Sequence, residues 1–491
     1  MPAAMPDPRQ FCSTPQHELH YGGRWQSPKA QKYLETINPA TGESLGRVAA
    51  AGAADVDAAV RAAHLAYADW KSLKPAQRAS MLRAAASTLR DHAEELAMID
   101  SLNSGNPVAE MVRDVESGAA AIEYFAGLAA AIKGETIPMG RENLNYTLRE
   151  PLGVVARIAA YNHPLMFAAM KIGAPLAAGN TVIIKPADQT PLSALRMAEL
   201  LCGIFPAGVL NVLPGDRECG QALAAHPLVR KVSLIGSVQT AKAIMRTAAE
   251  TLKPVLFELG GKNALILYPD ADLDKAIAGA VTGMNFTWAG QSCGSTSRAF
   301  VHASIHDRVL EEIVRLVEAR HKPGLPTDRS TTMGPLVSRA QREKVLGYIE
   351  AGKKEGARLV TGGKPPQDRR LSRGFFVEPT VFADVTANMR IAREEIFGPV
   401  LSVLKWTDED ELFEQVNAVD YGLTASIWTR DLVTAHRAAA RVQAGYVWIN
   451  NVTQHFMGAP FGGFKQSGIG REESFDELLE FTQIKNVNIP L

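Results

Sequence analysis

The amino-acid sequence predicts an α/β protein built around a doubly wound parallel sheet. Five short runs rich in β-branched residues begin about 22 to 28 residues apart, with helical patterns between them. The chain has 491 residues, whereas one hydrophobic core supports roughly 250 to 300, so two or more domains are expected. The runs are VVARIAA from Val154, TVIIKP from Thr181, VLNVLPG from Val209, KVSLIGS from Lys231 and VLFELGG from Val255.

Helices are predicted before this sheet. From Ala54 the apolar residues recur at spacings of three and four, which predicts an amphipathic helix. A second helical run follows Pro75 and ends near Gly105. The most apolar segment, GAAAIEYFAGLAAAI from Gly118, contains Glu123 and is shorter than the roughly 20 residues that a membrane span needs. It therefore predicts a buried helix.

A second α/β region is expected after Asn263. It includes a predicted helix over 310–318, and the segments RHKPGLPTDRS and TGGKPPQDRR are predicted to be surface loops. The tail FTQIKNVNIPL alternates apolar and polar residues without a helix signal. This pattern predicts an edge strand that pairs with another chain.

Charge and cysteine content exclude several classes of protein. The 52 basic and 52 acidic residues cancel, whereas nucleic-acid or anionic-membrane binding rests on a basic excess. Neither C-x-x-C nor Cys/His spacing occurs, so no disulfide framework and no metal site are predicted. The N-terminus MPAAMPDPRQFC lacks the basic start and apolar run of a signal peptide, so a reduced cytoplasm is expected. The four cysteines are Cys12, Cys202, Cys219 and Cys293.

The carboxyl ends of the predicted strands are the expected ligand site, because doubly wound sheets bind their ligands there. No G-x-G-x-x-G motif follows any of these strands, so the usual dinucleotide fingerprint gives no support. The residues at or just after these ends are Asn162, Lys185, Gly215, Gly236, Ser237 and Glu258.

Cys293 stands in the frame GQSCGSTSR, among glycines, serines and a threonine. A buried structural cysteine normally lies among apolar side chains. Small neighbours leave room for a substrate and offer backbone N–H groups to a developing oxyanion, as a nucleophilic thiol requires. The alternative is an ordinary Gly/Ser-rich loop that contains a cysteine.

Six motifs occur in the order found in NAD(P)-dependent aldehyde dehydrogenases, and the resemblance covers essentially the whole chain. Six ordered motifs are far more specific than any one of them, so Cys293 is expected to be catalytic. The motifs are YNHP at Tyr161, IIKPADQTP around Lys185, FELGGKN around Glu258, GQSCGSTSR around Cys293, EEIFGPV at Glu394 and PFGGFKQSGIGRE at Pro460.

The resemblance implies oxidation of an aldehyde to a carboxylic acid through a thiohemiacetal and a thioester on Cys293. Asn162 and the backbone N–H of the cysteine would hold the adduct oxygen, and Glu258 would activate the deacylating water. Lys171 and Glu472 resemble a secondary proton-relay pair. The alternatives are a turn residue for Asn162, a solvated strand terminus for Glu258, and two surface residues for the pair.

The resemblance implies NAD as the cofactor. Gly236 and Ser237 would lie at the phosphates, where helix N-terminal N–H groups favour anions. Lys185 would reach the adenosine ribose, with a surface lysine as the alternative, and Glu395 with Phe397 would reach the nicotinamide ribose. The implied cofactor set is Ile158, Lys185, Asp188, Gly215, Gly220, Gly236, Ser237, Glu395 and Phe397.

Asp188 favours NAD over NADP. It occupies the position where NAD-preferring members of the family usually have glutamate, and a carboxylate accepts hydrogen bonds from ribose hydroxyls and repels a 2′-phosphate. Near the phosphates the sequence departs from the common family form. Ala241 and Arg217 stand where many members have glycine.

The implied aldehyde tunnel is mostly apolar and aromatic. Its predicted side chains contain no lysine or arginine, which disfavours substrates with a distant carboxylate or phosphate. Aromatic, terpenoid or medium-chain aldehydes are therefore expected, and some of these side chains are expected to be core packing instead. The predicted tunnel residues are Phe167, Met170, Thr287, Trp288, Ser292, His455 and Phe461.

The resemblance also implies the domain organisation and the partners. Residues 1–128 and 152–261 would form the NAD-binding domain, 262–475 the catalytic domain, and 129–151 with 476–491 a small β oligomerisation element of a homodimer or homotetramer. One rival is a CoA-acylating semialdehyde dehydrogenase, whose relatives usually lack the base glutamate. The other is a non-catalytic binding or structural protein on the same scaffold, which tends to lose the nucleophile or the base. Both Cys293 and Glu258 are present.

Overall fold

The computed structural model describes residues 18–491, so Cys12 and the N-terminal motif lie outside the described residues. The strands in this range are β1 (Leu19–Tyr21), β2 (Arg24–Gln26), β3 (Tyr33–Ile37), β4 (Ser44–Ala49), β5 (Thr136–Pro138), β6 (Asn143–Pro151), β7 (Val154–Ile158), β8 (Thr181–Lys185), β9 (Leu210–Val212), β10 (Val229–Gly236), β11 (Val255–Leu259), β12 (Ala264–Leu267), β13 (Arg298–His302), β14 (Arg358–Thr361), β15 (Thr380–Ala383), β16 (Val400–Trp406), β17 (Tyr421–Gly422), β18 (Thr424–Trp428), β19 (Tyr446–Ile449), β20 (Phe464–Lys465), β21 (Gly468–Ile469) and β22 (Thr482–Pro490).

The helices of the described range alternate with these strands. They are α1 (Ala53–Ser72), α2 (Pro75–Asp91), α3 (Ala93–Ser104), α4 (Val108–Leu128), α5 (Pro164–Ala178), α6 (Leu192–Leu200), α7 (Arg217–Ala225), α8 (Val238–Ala249), α9 (Leu273–Gly283), α10 (His306–Arg320), α11 (Arg339–Lys354), α12 (Arg390–Arg393), α13 (Glu409–Asn417), α14 (Leu432–Arg441) and α15 (Phe475–Glu480), with short 3-10 helices at Ala129–Ala131, Phe286–Trp288 and Arg369–Leu371.

The larger sheet has the strand order β2-β1-β9-β8-β7-β10-β11-β21. Its five central strands are parallel, and β1, β2 and β21 add antiparallel edges. All five predicted runs form these central strands, so the predicted doubly wound sheet is confirmed. The chain order reverses between β7 and β10, which makes their carboxyl ends the switch point where such sheets bind ligands.

Helices cover both faces of this sheet. Successive strand residues contact the two helix layers in turn, because their side chains point to opposite sides. On β7, Val154 and Ala156 pack with Val60 of α1, whereas Val155 packs with Leu165 of α5. The near-continuous apolar runs of the strands follow from burial on both faces.

A second sheet has the order β14-β15-β16-β13-β12-β18-β19, with β14 antiparallel and the other neighbours parallel. The chain passes from β11 in the first sheet to β12 in the second within residues 260–263. The predicted boundary at 261/262 lies in this crossing, although the domain division itself stays a prediction. The helix predicted over 310–318 lies inside α10, and the segments 321–330 and 362–368 are non-helical loops, as expected.

Two predicted helices differ in detail from the structure. The run from Pro75 is two helices, broken at His92, and only the second one ends at Gly105. The apolar segment from Gly118 belongs to α4, which is buried along one face. Glu123 lies on the opposite face and pairs with Arg90 at 2.8 Å. The charge of Glu123 therefore faces solvent although its neighbours in the sequence are apolar.

The C-terminal tail is an edge strand, β22, of the three-stranded antiparallel sheet β22-β6-β5. It pairs over its length with β6 of the same chain, which corrects the expectation that its partner is only another chain. The second edge of β22 has no partner strand within the described residues, so intermolecular pairing there stays a prediction. Among residues 18–491, no helix has the length and apolar character needed to cross a membrane.

Candidate active site

A cavity of about 700 Å³ contains Cys293 and Glu258 and is walled by α4, α5 and the loops around residues 287, 293 and 455. α4 and α5 run parallel there, since Gly118 packs on Ala169, and Gly173 on Phe125. One face of each helix lines the cavity, because residues three and four apart share a face. The cavity-lining residues of α5 are Met166, Phe167, Met170 and Lys171.

Cys293 follows the 3-10 helix Phe286–Trp288 in a loop held by side-chain hydrogen bonds. The amide Nδ2 of Asn263 donates to the carbonyl oxygens of Cys293, at 2.6 Å, and Ser295, at 3.0 Å. Gly290 precedes the cysteine with φ +68°, and a Cβ there would lie 2.1 Å from the Gly398 carbonyl oxygen. The small residues of the motif are therefore required by the close approach of the backbone as well as by access to the thiol.

Glu258 lies near the carboxyl end of β11 and is only 3% exposed, so it is not a solvated strand terminus. Burial and then the nearby Glu472 raise its pKa to about 8, although its interaction with the Cys293 thiol opposes the shift. Burial, followed by the proximity of Glu258, likewise raises the pKa of the thiol well above its usual value. At neutral pH the thiol therefore keeps its proton, and the Glu258 carboxyl beside it, once ionised, can accept that proton when the thiol attacks.

Lys171 and Glu472 form a buried ion pair with an Nζ–Oε2 distance of 2.5 Å. The alternative that they are surface residues is therefore wrong. Glu472 also accepts a hydrogen bond from Arg157 at 3.4 Å, and Arg157 donates to Glu477 at 3.1 Å. Because Lys171 and Glu472 both influence the pKa of Glu258, this chain of charges reaches the candidate base.

Asn162 is buried in the bend immediately before the N-terminus of α5. Its carbonyl oxygen accepts a hydrogen bond of 2.8 Å from the side-chain amide of Asn106. The residue does not line the cavity, unlike Cys293 and Glu258. The geometry thus fits a residue of the turn before α5, and the oxyanion role stays a prediction.

All seven residues predicted for the tunnel line this cavity: Phe167, Met170, Thr287, Trp288, Ser292, His455 and Phe461. Three of them are largely covered by protein, namely Phe167, Met170 and Phe461. These three side chains still give the cavity of Cys293 and Glu258 an apolar surface.

Sequence reasoning missed six titratable groups of the cavity. They are Glu110, Arg113, Asp114, His163, His321 and Glu473. His163 was visible within the YNHP motif, but its partner Asp114 lies 49 residues away on another helix and carried no local signal. The expectation of a tunnel without arginine or lysine applies to the seven predicted residues alone, since Arg113 and Lys171 also line the cavity.

Three of the predicted cofactor residues are neighbours close to the carboxyl ends of β7 and β8. A Cβ at Gly220 would lie 3.9 Å from both Ile158 and Lys185, so these three residues are neighbours. Gly215 has no room for a Cβ, which would lie 2.7 Å from the Cβ of Cys219.

The end of β10 leads directly into a helix N-terminus. Gly236 ends the strand and Ser237 caps α8, with its hydroxyl accepting a hydrogen bond of 3.2 Å from the Thr240 N–H. The N-terminal N–H groups of α8 give this place the partial positive charge that suits an anion.

The remaining cofactor residues lie on two separate segments. Glu395 is partly buried, accepts a hydrogen bond of 3.1 Å from the Gly261 N–H, and has its pKa raised by desolvation. Phe397 packs edge-on against Tyr161, with ring centroids 5.7 Å apart. Lys185 is buried and donates to the carbonyl oxygen of Pro186 at 3.1 Å, so it is not a surface lysine, whereas Asp188 is exposed in the loop after β8.

Comparison with known proteins identifies the family. Residues 25–487 match the model of the aldehyde dehydrogenase family. The chain belongs to the aldehyde dehydrogenase family. This member is 56% identical over 481 residues to aldehyde dehydrogenase tropH of Talaromyces stipitatus, a match that covers 97% of this chain and 93% of the relative.

Solved structures of other family members have the same fold. The NAD+ complex of the Bacillus cereus aldehyde dehydrogenase has a TM-score of 0.95 and 42% identity, covering 99% of each chain. The indole-3-acetaldehyde dehydrogenase AldA of P. syringae, in complex with NAD+ and IAA, has a TM-score of 0.95 and 39% identity, covering 98% of each chain. The predicted fold class and family are thereby confirmed.

Proposed function

We propose that this aldehyde dehydrogenase uses NAD to oxidise a hydrophobic aldehyde to its carboxylic acid, through a thioester on Cys293. The observation that carries the proposal is one cavity that holds the thiol of Cys293 and the buried carboxyl of Glu258 beneath an apolar and aromatic wall.

The residues at the switch point fit NAD. The α8 N-terminus offers N–H donors for a pyrophosphate, and the exposed carboxylate of Asp188 suits ribose hydroxyls. Glu395 and Phe397 would face the nicotinamide ribose. When bound, NAD supplies the acceptor for the hydride of the aldehyde. The similar enzymes of Bacillus cereus and P. syringae are known as NAD+ complexes.

Cys293 begins the reaction by attacking the aldehyde carbon. A new S–C bond forms, the carbonyl π electrons move to oxygen, and the thiol proton passes to the Glu258 carboxylate. The backbone N–H of Cys293 and the amide of Asn162 would stabilise the oxyanion. After oxidation to the thioester, Glu258 takes a proton from water, whose oxygen attacks the acyl carbon, and the C–S bond breaks to release the acid.

Lys171 and Glu472 would connect Glu258 to a route for its proton. Glu258 must lose a proton before each deacylation, and only 3% of the residue is exposed. Glu472 is close enough to raise the pKa of Glu258 and is hydrogen-bonded to the Lys171 ammonium. These contacts support a relay from the base to the ion pair.

The cavity supports a hydrophobic and especially an aromatic aldehyde as the substrate class. Phe167, Trp288 and Phe461 provide stacking surfaces along it. The P. syringae neighbour is an indole-3-acetaldehyde dehydrogenase. The buried Glu258 favours hydrolysis of the thioester over transfer of the acyl group to CoA. A non-catalytic protein would require neither the Cys293 thiol nor the Glu258 carboxyl.

The three-stranded sheet supports a homodimer or homotetramer. Leu144, Leu148 and Ile484 are apolar but between 42% and 61% exposed on this sheet, which suits an interface between subunits. The cytoplasmic location also remains a proposal, and the free Cys202, Cys219 and Cys293 fit a reducing compartment.

A panel of aromatic, terpenoid, aliphatic and carboxylated aldehydes, assayed by NADH formation, tests the proposed function. We expect turnover of the hydrophobic aldehydes, and no NADH from Cys293→Ala, which should still bind NAD. Cys293→Ser should be nearly as inactive, because a hydroxyl is a poorer nucleophile than a thiolate. Substantial NADH formation by the alanine variant would overturn the proposal.

A further inference from the structure

Apart from the reactive pair, the cavity contains a histidine–carboxylate pair that the reaction does not use. His163 Nδ1 lies 2.7 Å from the Asp114 carboxylate, and both residues line the cavity. His163 immediately precedes α5, and Asp114 lies on the parallel helix α4. The pair is therefore fixed by two packed helices. It lies about 12 Å along α5 from Lys171, given a rise of about 1.5 Å per residue.

The imidazole of this pair offers a hydrogen-bond acceptor. A carboxylate only accepts hydrogen bonds, so the Nδ1 that faces Asp114 carries the proton and Nε2 of the neutral ring is an acceptor. Within residues 18–491, Nε2 of His163 has no hydrogen-bond partner. An acceptor on the wall of an otherwise apolar cavity calls for a donor on the substrate.

The ring next to His163 carries a hydrogen-bond donor that is unpaired in the described part of the chain, the indole N–H of Trp288. The indole of Trp288 lies 5.2 Å from the His163 ring, centroid to centroid, and its Nε1 is buried without a partner among the described residues. Buried indole N–H groups usually have a hydrogen-bond partner. The acceptor of His163 and this donor lie on adjacent rings of the cavity wall, and together they match a hydroxyl group, which donates once and accepts as well.

The charges of the cavity argue against an anionic group at this place. Five carboxyl groups line it, those of Glu110, Asp114, Glu258, Glu472 and Glu473. Even without Glu258, which is mostly protonated at neutral pH, four carboxylates stand against the two cations of Arg113 and Lys171. Both cations are already paired, Arg113 with Glu110 at 2.9 Å and Lys171 with Glu472 at 2.5 Å. A substrate carboxylate would thus meet net negative charge and no free cation.

We propose that His163 and Trp288 form a hydroxyl-binding subsite, so that the preferred substrates are hydrophobic aldehydes with a hydroxyl group remote from the carbonyl. The inference rests on the proposed function and narrows its substrate class. Asp114 is the positioning residue, since it holds the His163 ring and fixes which nitrogen accepts. Phe167, with its ring 5.3 Å from that of His163, supplies the apolar surface beside the subsite.

The test compares 3-arylpropanals, whose two methylene groups insulate the carbonyl from the electronic effect of the ring substituent. The set is 3-phenylpropanal and its 3-hydroxy, 4-hydroxy, 4-methoxy and 4-carboxy ring derivatives. We expect kcat/KM of the better hydroxylated aldehyde to exceed that of 3-phenylpropanal by roughly five- to a hundredfold, the range that loss of one buried hydrogen-bond partner produces. The methoxy compound, which cannot donate, should lose this advantage.

Substitutions assign the preference to the subsite. In His163→Phe the ratio of kcat/KM for hydroxylated over unsubstituted aldehyde should fall to about one, and in Trp288→Phe it should fall part of the way. His92→Phe is the matched control, because His92 also pairs through Nδ1 with a carboxylate, Glu95 at 2.9 Å, but lies outside the cavity. The ratio of the control should equal that of the unmodified enzyme. If His163→Phe does not fold, the same ratio of kcat/KM values is measured in Asp114→Asn and Trp288→Phe instead.

The outcomes separate this inference from the function on which it rests. Oxidation of 3-phenylpropanal with no preference for a hydroxyl overturns the subsite alone, whereas no NADH from any aldehyde of the set overturns the proposed function. A preference for the 4-carboxy compound contradicts the charge argument. A hydroxyl preference that His455→Phe abolishes and His163→Phe leaves intact would assign the group to the other histidine–carboxylate pair of the cavity, His455 with Glu473.

Discussion

Replacement of Glu258 by glutamine should separate acylation of the enzyme from deacylation. The amide retains the size of the carboxyl but cannot accept a proton, so the thioester on Cys293 should form and persist. We expect a burst of up to one NADH per active site, followed by a steady rate that is lower by roughly two to four decades, the usual span for loss of a general base.

The raised pKa of Glu258 gives this prediction a pH signature. With a pKa of about 8, the carboxyl is about 10% ionised at pH 7 and about 90% ionised at pH 9. The base form, and with it the deacylation rate of the unmodified enzyme, should therefore rise by roughly tenfold between these pH values. The glutamine variant should not show this rise in its steady rate.

Rapid mixing with NAD and a good aldehyde measures the burst, and mass spectrometry of the quenched protein measures the acyl group on Cys293. A burst that is itself slow in Glu258→Gln would mean that Glu258 also deprotonates the thiol, and alkaline pH should then partly restore it. Full steady-state turnover by the variant without an acyl adduct would refute the assignment of Glu258 as the base.

Three further predictions follow from single features of the structure. Asp188→Thr should narrow the preference for NAD over NADP by about one to two decades, because it removes the repulsion of a 2′-phosphate; an unchanged ratio of kcat/KM values would mean that Asp188 does not face the ribose. Gly290→Ala should lower the free energy of unfolding by more than about 1 kcal/mol and reduce activity, because of its positive φ and its contact with a carbonyl oxygen. Gly347→Ala on α11, where a Cβ meets nothing within 4 Å, is its control and should stabilise by about 0.4 to 1 kcal/mol in denaturant titrations. Burial raises the pKa of Asp100 to about 7, so the folded protein binds more protons than the unfolded chain between about pH 4 and 7 and loses stability as pH rises through this window. The melting temperature of Asp100→Asn, measured relative to the unmodified protein, should thus be higher at pH 8 than at pH 5, and an equal difference at both would contradict the shift.

The sequence predicts the larger sheet well because each strand carries its own signal. Runs such as TVIIKP are apolar on both faces, and that pattern is typical of strands that are buried on both sides. The break at His92 was not predictable in this way, since the residues on either side of it are equally good helix formers. The boundary depends on how α2 and α3 each pack against α4, which is a property of the fold and not of the local sequence.

The candidate site was predicted as far as its residues belong to recognisable motifs. Cys293, Glu258 and the seven tunnel residues were found, and they line one cavity. The pairing of Lys171 with Glu472 was implied by the family resemblance alone, because the two residues are 301 positions apart and no local pattern connects them. Asp114 was missed for the same reason, since its significance comes from His163 on a neighbouring helix.

The ion pairs of Arg157 and Lys171 have a consequence for the order in which the molecule is made. Both cations precede their partners Glu472 and Glu477 by between 301 and 320 residues. Until those partners have been synthesised, the larger sheet and α5 hold two buried positive charges without counterions, which is strongly unfavourable. Stable closure of the cofactor half should therefore wait until residues 472–477 have been made, and a nascent chain that stalls before residue 472 is a natural substrate for chaperones.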